Sequence, residues 1–205
     1  MAIAGHTGDD ATVRAGLGAA DPTVRATALQ ALDRLGDLDD DTLTAGTRDP
    51  AGEVRRRAAT LAARHPAIDL TTLLGDTEPA VAEAASWACG ERPSLRDGEW
   101  GALLARATAT GADADPLVRE AAVAALGALG DDVGLDAILA ATRDRPAIRR
   151  RAVLALAPFL GVDHPRAGAV RAALAHAATD RDWQVRQAAE DIDPGTEGDD
   201  ADQSV

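Results

Sequence analysis

Apolar side chains recur at helical spacing along a phrase that the chain contains twice. The first copy, DPTVRATALQALDRLGD, occupies residues 21–37, and the second, DPLVREAAVAALGALGD, occupies residues 115–131. In the first copy the apolar positions follow a period near 3.6 residues, at Val24, Ala28, Ala31, Leu32 and Leu35. The second copy has apolar residues at the same offsets. Each phrase therefore predicts one amphipathic helix, and the two helices are repeats of one unit.

Both copies also carry signals for the start and the end of a helix. Asp21 and Asp115 stand where an N-cap belongs, and a proline follows each at the first helical position. Gly36 and Gly130 follow the last apolar residue and suit a left-handed C-cap. The two helices are thus predicted to begin directly after the aspartates and to end directly before the glycines.

Four weaker copies fill the rest of the chain. Each is centred on a β-branched residue, usually followed by arginine, at Val54, Val81, Ile148 and Val185. The six centres are 27 to 37 residues apart, a period typical of helical solenoid repeats. A second, weaker helical phrase lies between successive copies, and no segment alternates strictly between apolar and polar residues as a half-buried strand does. The pattern predicts an all-α chain with two helices per repeat.

The phrase D-P-x-V-R-x-x-A-x-x-A-L-x-x-L-G, present at residues 21–36 and 115–130, resembles a HEAT repeat. Its short period and alanine-rich second helix are most similar to the HEAT-like repeats first associated with phycobilin lyases. The resemblance covers about residues 9–192 and implies a right-handed α-solenoid of about six helical hairpins. Since the family includes scaffolds, adaptors and a few enzymes, we expect a protein-binding scaffold or adaptor. An enzyme or chromophore-handling protein of the phycobilin lyase type is the alternative.

The resemblance also implies a ladder of polar contacts between the aspartate before each second helix and the arginine after its β-branched residue. Aspartate can cap backbone N–H groups, and an arginine fork can bridge neighbouring turns. Ala82 replaces the arginine in the third copy. The residues implied as ladder members are Asp21, Arg25, Asp49, Arg55, Asp115, Arg119, Asp144, Arg149 and Arg186.

The charge of the chain limits the kinds of partner that it can bind. The 205 residues carry a net charge of −13, all 21 basic residues are arginine, and 26 of the 34 acidic residues are aspartate. A lysine-free, aspartate-rich surface resembles that of proteins from salt-loving archaea, in which high salt screens self-repulsion. A GC-rich genome is the alternative, although it explains the aspartate excess poorly. The negative charge argues against a nucleic-acid partner, which requires a basic face.

Arginines beyond the ladder are the first candidates for partner binding. They occur as two pairs, Arg56 with Arg57 and Arg150 with Arg151. They form either a cationic patch for a carboxylate-rich or phosphorylated partner or ordinary solvated helix surface.

Tryptophans are the second candidates, because aromatic side chains anchor many protein interfaces. Trp100 and Trp183 are candidate partner-binding residues, whereas Trp87 is expected to fill a gap among neighbouring alanines.

Catalytic signals are weak, and we expect no enzyme, metal site or cofactor. The four histidines are scattered, and a phosphate-binding loop of the GxxxxGK type needs a lysine that the chain lacks. Cys89 lies in an apolar phrase and has no second cysteine to pair with. The first residues do not resemble a secretory signal, and no apolar run suits a bilayer. We expect a cytoplasmic monomer with a protein partner, a repeat domain over residues 1–192 and a disordered acidic tail over residues 193–205.

Overall fold

The structure, a computed structural model, describes residues 10–111 and 114–193. Over these residues the chain forms twelve α-helices and no β-strand, arranged as six successive hairpins. The predicted all-α solenoid of about six helical hairpins is therefore confirmed. The start of the chain and the predicted acidic tail beyond Asp193 lie outside the described residues.

The twelve helices divide into two layers. The first helices of the hairpins are α1 (Asp10–Ala15), α3 (Asp40–Thr47), α5 (Thr71–Leu74), α7 (Asp97–Ala107), α9 (Asp132–Ala141) and α11 (Ala167–Ala177). The second helices are α2 (Pro22–Leu35), α4 (Gly52–Leu61), α6 (Pro79–Gly90), α8 (Pro116–Leu129), α10 (Pro146–Ala155) and α12 (Trp183–Ile192). Each second helix packs against the next one, from α2 through to α12, so these six helices form a continuous layer.

The ends of the two copied helices lie where the sequence predicts them. The side chain of Asp21 accepts a hydrogen bond from the backbone N–H of Thr23 at 2.9 Å, which caps α2. Asp115 caps α8 in the same way. Gly36 and Gly130 have φ values of 79° and 62°, the left-handed conformation that lets a chain leave a helix without a Cβ clash.

Small residues let the second helices approach one another closely. A Cβ atom on Gly90 of α6 would lie 2.9 Å from the Cα of Ala125 in α8. A Cβ atom on Gly127 of α8 would lie 2.6 Å from the Cα of Ala155 in α10. Both distances are shorter than van der Waals contact, so no larger side chain fits at either glycine without moving a helix. Contacts between glycine and alanine therefore set the close spacing of α6, α8 and α10 in the middle of the second-helix layer.

A buried ion pair, which the sequence analysis did not anticipate, joins the second, third and fourth hairpins. Arg92 and Glu99 have side chains that are 1% and 2% exposed, and Arg92 Nη1 lies 2.7 Å from Glu99 Oε1. The remaining guanidinium N–H groups donate to the backbone carbonyls of Ala62, His65 and Ile68. Since the arginine meets four separate acceptors, its charge and its donors are compensated inside the protein.

The carboxylate of this pair is compensated as well. Glu99 Oε1 accepts from the backbone N–H of Leu70 at 2.9 Å, and Oε2 accepts from the backbone N–H of Arg96 at 3.0 Å. Leu70 directly precedes α5, a helix of only four residues. A helix this short makes few internal hydrogen bonds, so the Arg92–Glu99 network holds the third hairpin in place.

Candidate functional site

The solvent face of the second-helix layer contains a groove of about 600 Å³ along α6 and α8. We call it the α6–α8 groove. Its floor consists of alanines on the two helices, and Trp87 and Leu117 rise beside this floor. Trp87 is 46% exposed and Leu117 is 61% exposed. The groove is thus a mainly apolar depression with two large apolar side chains that the fold leaves in contact with solvent.

The repeat register explains why the groove lies here. Trp87 stands six residues after the centre of its repeat, where α4 has Thr60 and α8 has Ala124. Because Ala121 and Ala128 lie on the same face of α8 as Ala124, this helix presents only short side chains next to a large ring. Trp87 therefore lies among alanines, as expected, but the gap between them is on the surface and the ring forms its edge.

Charged residues border the groove on the helices to either side. Arg56 of α4 and Arg151 of α10 both line it, and three acidic residues line it as well: Glu83 of α6, Glu91 directly after α6 and Glu120 of α8. Arg151 Nη2 lies 3.4 Å from Glu120 Oε1, whereas the exposed Arg56 forms no ion pair within the described chain. Arg56 therefore makes no ion pair within residues 10–111 or 114–193, although three glutamates line the same groove.

The four candidate arginines do not form a single patch. Arg57 Nη1 donates to Gln30 Oε1 at 2.7 Å and thereby reaches toward α2. Arg150 is exposed on α10, and neither Arg57 nor Arg150 lines the groove. The structure brings Arg56 and Arg151 to one site, on opposite sides of it, and separates the other two from them.

The two candidate tryptophans lie apart from the groove and from each other. Trp100 of α7 is half-buried and packs against the core through the first-helix layer. Trp183, the first residue of α12, is 64% exposed on the last described hairpin. Neither residue lines the groove.

An arginine–aspartate ladder runs along the second-helix layer. Arg25 of α2 binds Asp49, which precedes α4, through two parallel hydrogen bonds of 2.8 and 2.7 Å. Arg149 of α10 binds Asp180, which precedes α12, through two bonds of 2.8 and 2.7 Å. Such forks are the stronger form of arginine–carboxylate contact, and each one ties a second helix to the start of the next.

Two further ladder arginines also bind an aspartate that precedes the next second helix. Arg55 Nε and Nη2 bind Asp76 at 2.7 and 3.0 Å, and Arg119 forms a contact with Asp144 through Nη2. Arg186 lies in the last described helix and donates instead to backbone carbonyls of its own repeat.

The aspartates differ in part from those that the family resemblance implies. Asp49 and Asp144 each bind a ladder arginine, while Asp21 and Asp115 cap helices and bind none. Asp76 and Asp180, which bind Arg55 and Arg149, were not anticipated. A sequence signal for these two exists, since each stands five residues before the β-branched centre of its repeat, as Asp49 does.

Contacts with arginine favour the ionised form of two ladder carboxylates, Asp49 and Asp180. The hydrogen bonds from Arg25 hold the pKa of Asp49 below its ordinary value, and those from Arg149 do the same for the pKa of Asp180. Since the ionised carboxylate is the form that binds the arginine, these residues maintain the stack.

Cys89 is buried in α6, where its environment disfavours the thiolate. Burial raises the pKa of this thiol to about 12. Because the thiolate is the reactive form of cysteine, this environment disfavours reaction of Cys89, whose side chain packs in the hydrophobic core. Among residues 10–111 and 114–193, no three histidine, cysteine or acidic side chains come close enough together to hold a metal ion. None of the helices described is both long and apolar enough to cross a membrane.

These features define an α-solenoid of helical hairpins whose second helices are joined by an arginine–aspartate ladder. Residues 68–157, which run from the third hairpin into the fifth, match the sequence family described as HEAT repeats. A crystal structure of an engineered protein resembles this chain with a TM-score of 0.59 at 20% sequence identity, over 89% of this chain and 94% of that one. At this identity the likeness shows the fold alone. No curated protein matches the chain.

Proposed function

We propose that the protein is a non-enzymatic interaction scaffold or adaptor that binds a segment of a partner protein in the α6–α8 groove. The observation that carries this proposal is the exposure of Trp87 and Leu117 beside a floor of alanines. Exposed aromatic side chains next to small residues are what protein interfaces use as anchors. HEAT repeats, the family that residues 68–157 match, commonly mediate protein interactions.

The charges at the groove support a particular kind of segment. Arg56 lines the groove without an ion pair to the described residues, and a carboxylate or phosphate group on the partner could pair with it. The alanine floor favours apolar side chains opposite Trp87. We therefore propose an apolar segment that carries a carboxylate or phosphate group at one end, bound by a monomer in a salt-rich cytoplasm. The net charge of −13 and the absence of lysine support the salt-rich surroundings, because salt screens the repulsion between the acidic residues.

The test is capture of a partner from native lysate in high salt. The blocking variant is Ala124→Arg, which places a long side chain on the groove floor, and its control is Ala105→Arg, the same change at an exposed position of α7. We expect a protein retained by the wild type and by Ala105→Arg to be lost with Ala124→Arg.

A second pair of variants tests the charge at the groove. Arg56→Glu reverses a charge that lines the groove, and Arg150→Glu reverses an exposed charge that does not. We expect Arg56→Glu alone to weaken retention of the partner. Equal retention by every folded variant, or retention of no protein by the wild type, would contradict the proposed function.

A further inference from the structure

The ladder arginines hold their guanidinium groups in one repeated arrangement. Arg25 Nη1 donates at 2.9 and 3.0 Å to the backbone carbonyls six and five residues before it, in the lead-in of its helix. Its Nε and Nη2 bind Asp49, which belongs to the next hairpin. Arg55 Nη1 donates to carbonyls at the same offsets, while its Nε and Nη2 bind Asp76. The lead-in of each helix therefore directs the arginine fork toward an aspartate of the next hairpin.

Arg186 of α12 has the first set of these contacts but lacks the aspartate. Its Nη1 donates to the carbonyls of Asp180 and Arg181, again six and five residues before it, at 2.7 and 3.3 Å. Its Nε and Nη2 form no hydrogen bond or ion pair with any residue that the structure describes, and solvent reaches both atoms. Arg186 therefore presents to solvent the two N–H groups with which Arg25 binds a carboxylate.

Trp183, the first residue of α12, is exposed on the same side of the helix as this fork. Gly52 holds the equivalent position in α4, where a Cβ atom would overlap the side chain of Glu78. Glu78 directly precedes α6, and it also accepts a hydrogen bond from Arg55 Nη2 at 3.1 Å. The first residue of a second helix and its ladder arginine thus meet the same part of the following lead-in. By this equivalence Trp183 and Arg186 face one place.

Two acidic side chains stand one turn from Arg186 on either side, and neither pairs with it. Asp182 caps its own helix, and Glu190 is exposed. Asp21 stands at the same offset from Arg25 as Asp182 does from Arg186, and Arg25 nonetheless binds a carboxylate of the next hairpin. A capping aspartate beside the fork therefore does not prevent a ladder arginine from binding a second carboxylate.

Glu190 also indicates what kind of group reaches the fork. It stands five residues after the centre of its repeat, a position that is buried in all five earlier repeats. A further helical hairpin packed on α12 would bury this charge, which is costly without a partner. The occupant is therefore an extended segment that reaches the start of α12 and leaves Glu190 in solvent. The five buried counterparts of Glu190 are Leu29, Ala59, Ser86, Val123 and Val153.

We propose that Arg186 and Trp183 form a binding site for an acidic segment of a partner protein. A carboxylate of the segment accepts from Nε and Nη2 of Arg186, as Asp49 accepts from Arg25, and a neighbouring side chain packs on the ring of Trp183. The site shares no residue with the α6–α8 groove, so it does not depend on binding there.

The probe that tests this site is the peptide TRDPAGEV with blocked termini, which copies residues 47–54 and contains Asp49. It is titrated into the ¹⁵N-labelled full chain, and the side-chain Nε–H resonance of Arg186 is followed by NMR. We expect a saturable shift of this resonance. The same peptide with Asp49→Asn should bind roughly tenfold or more weakly, because it lacks the charge-assisted contact.

Three variants of the protein assign the binding to particular side chains. Arg186→Gln should abolish binding, followed then through the backbone amides of α12, and Arg181→Gln should leave it unchanged as the matched control at an exposed arginine of the same lead-in. Trp183→Ala keeps the fork and should weaken binding several-fold. Because Arg186→Gln also removes a donor to the lead-in, circular dichroism must show that each variant retains the helical content of the wild type.

Four results would overturn the proposal. The first two are no shift of the Arg186 resonance with either peptide, and equal affinity for both peptides. The third is a dimer of the wild type by light scattering that Arg186→Gln abolishes, since a second copy would then occupy the fork. The fourth is a shift of the Arg186 resonance, without peptide, in the variant Glu197→Gln/Asp199→Asn/Asp200→Asn, since the chain's own acidic residues would then occupy it.

Discussion

Removing the guanidinium of Arg92 tests how the buried ion pair holds the third hairpin. In Arg92→Met, Glu99 keeps its two backbone N–H donors but loses its closest counter-charge, with only Arg96 Nη1 left at 4.0 Å, and the carbonyls of Ala62 and Ile68 lose their donor. Breaking a buried pair on one side costs about 3–5 kcal/mol, because the remaining charge stays buried and uncompensated. For a chain of this size the loss corresponds to a fall in melting temperature of roughly 10 °C.

The assay is urea unfolding followed by circular dichroism, with two further variants. In Arg92→Met/Glu99→Gln the buried charge is also removed, and the amide oxygen still accepts from one of the two backbone N–H groups, so we expect part of the lost unfolding free energy to return. Arg96→Met removes the weaker partner of the same carboxylate, which lies 4.0 Å from Glu99 Oε1 on a side chain that is 48% exposed, and should cost less than about 1 kcal/mol. Two results would contradict a stabilising role of the buried pair. One is that Arg92→Met lowers the free energy of unfolding no more than Arg96→Met does. The other is that the double variant is the least stable of the three.

Three further predictions concern the ladder, the cysteine and the charge. The pKa of Asp49 is lowered on folding, so its contribution to stability is present above its unfolded pKa of about 3.9 and is lost as the pH falls through the lower folded value. The free energy of unfolding should therefore fall more for the wild type than for Asp49→Asn between neutral and acidic pH. Parallel plots of this free energy against pH for the two proteins would contradict the prediction. Cys89 should react with a thiol reagent only at the rate of unfolding, so prompt labelling of the folded protein would refute its burial. KCl should raise the melting temperature, since it screens a net charge of −13, and a salt-independent value would contradict that cause.

The helices could be predicted because their signals are local. Apolar spacing, an aspartate–proline start and a glycine stop lie within one repeat, and two copies of the phrase confirm each other. The number of hairpins follows from counting repeat centres. These features need no knowledge of which residues meet across the fold.

The site could be predicted only in part, because it depends on which side chains are neighbours across helices. Trp87 forms a groove edge because Ala124 lies on the next helix, and a comparison of equivalent repeat positions would have shown the difference in size. The pairing of Arg92 with Glu99 has no such signal. Their contact depends on the path of the connections around α5 and α7, and charge in the sequence alone gives no reason to bury either residue.

Site-specific photo-crosslinking from the groove tests the proposed scaffold function most directly. A photoreactive amino acid replaces Ala128, which lines the groove and is exposed, and in a control protein it replaces Ala105 on the opposite layer. After irradiation in native lysate at high salt, we expect a discrete crosslinked partner from position 128 and none from position 105. The same products from both positions, or a partner captured only from position 105, would contradict binding in the α6–α8 groove.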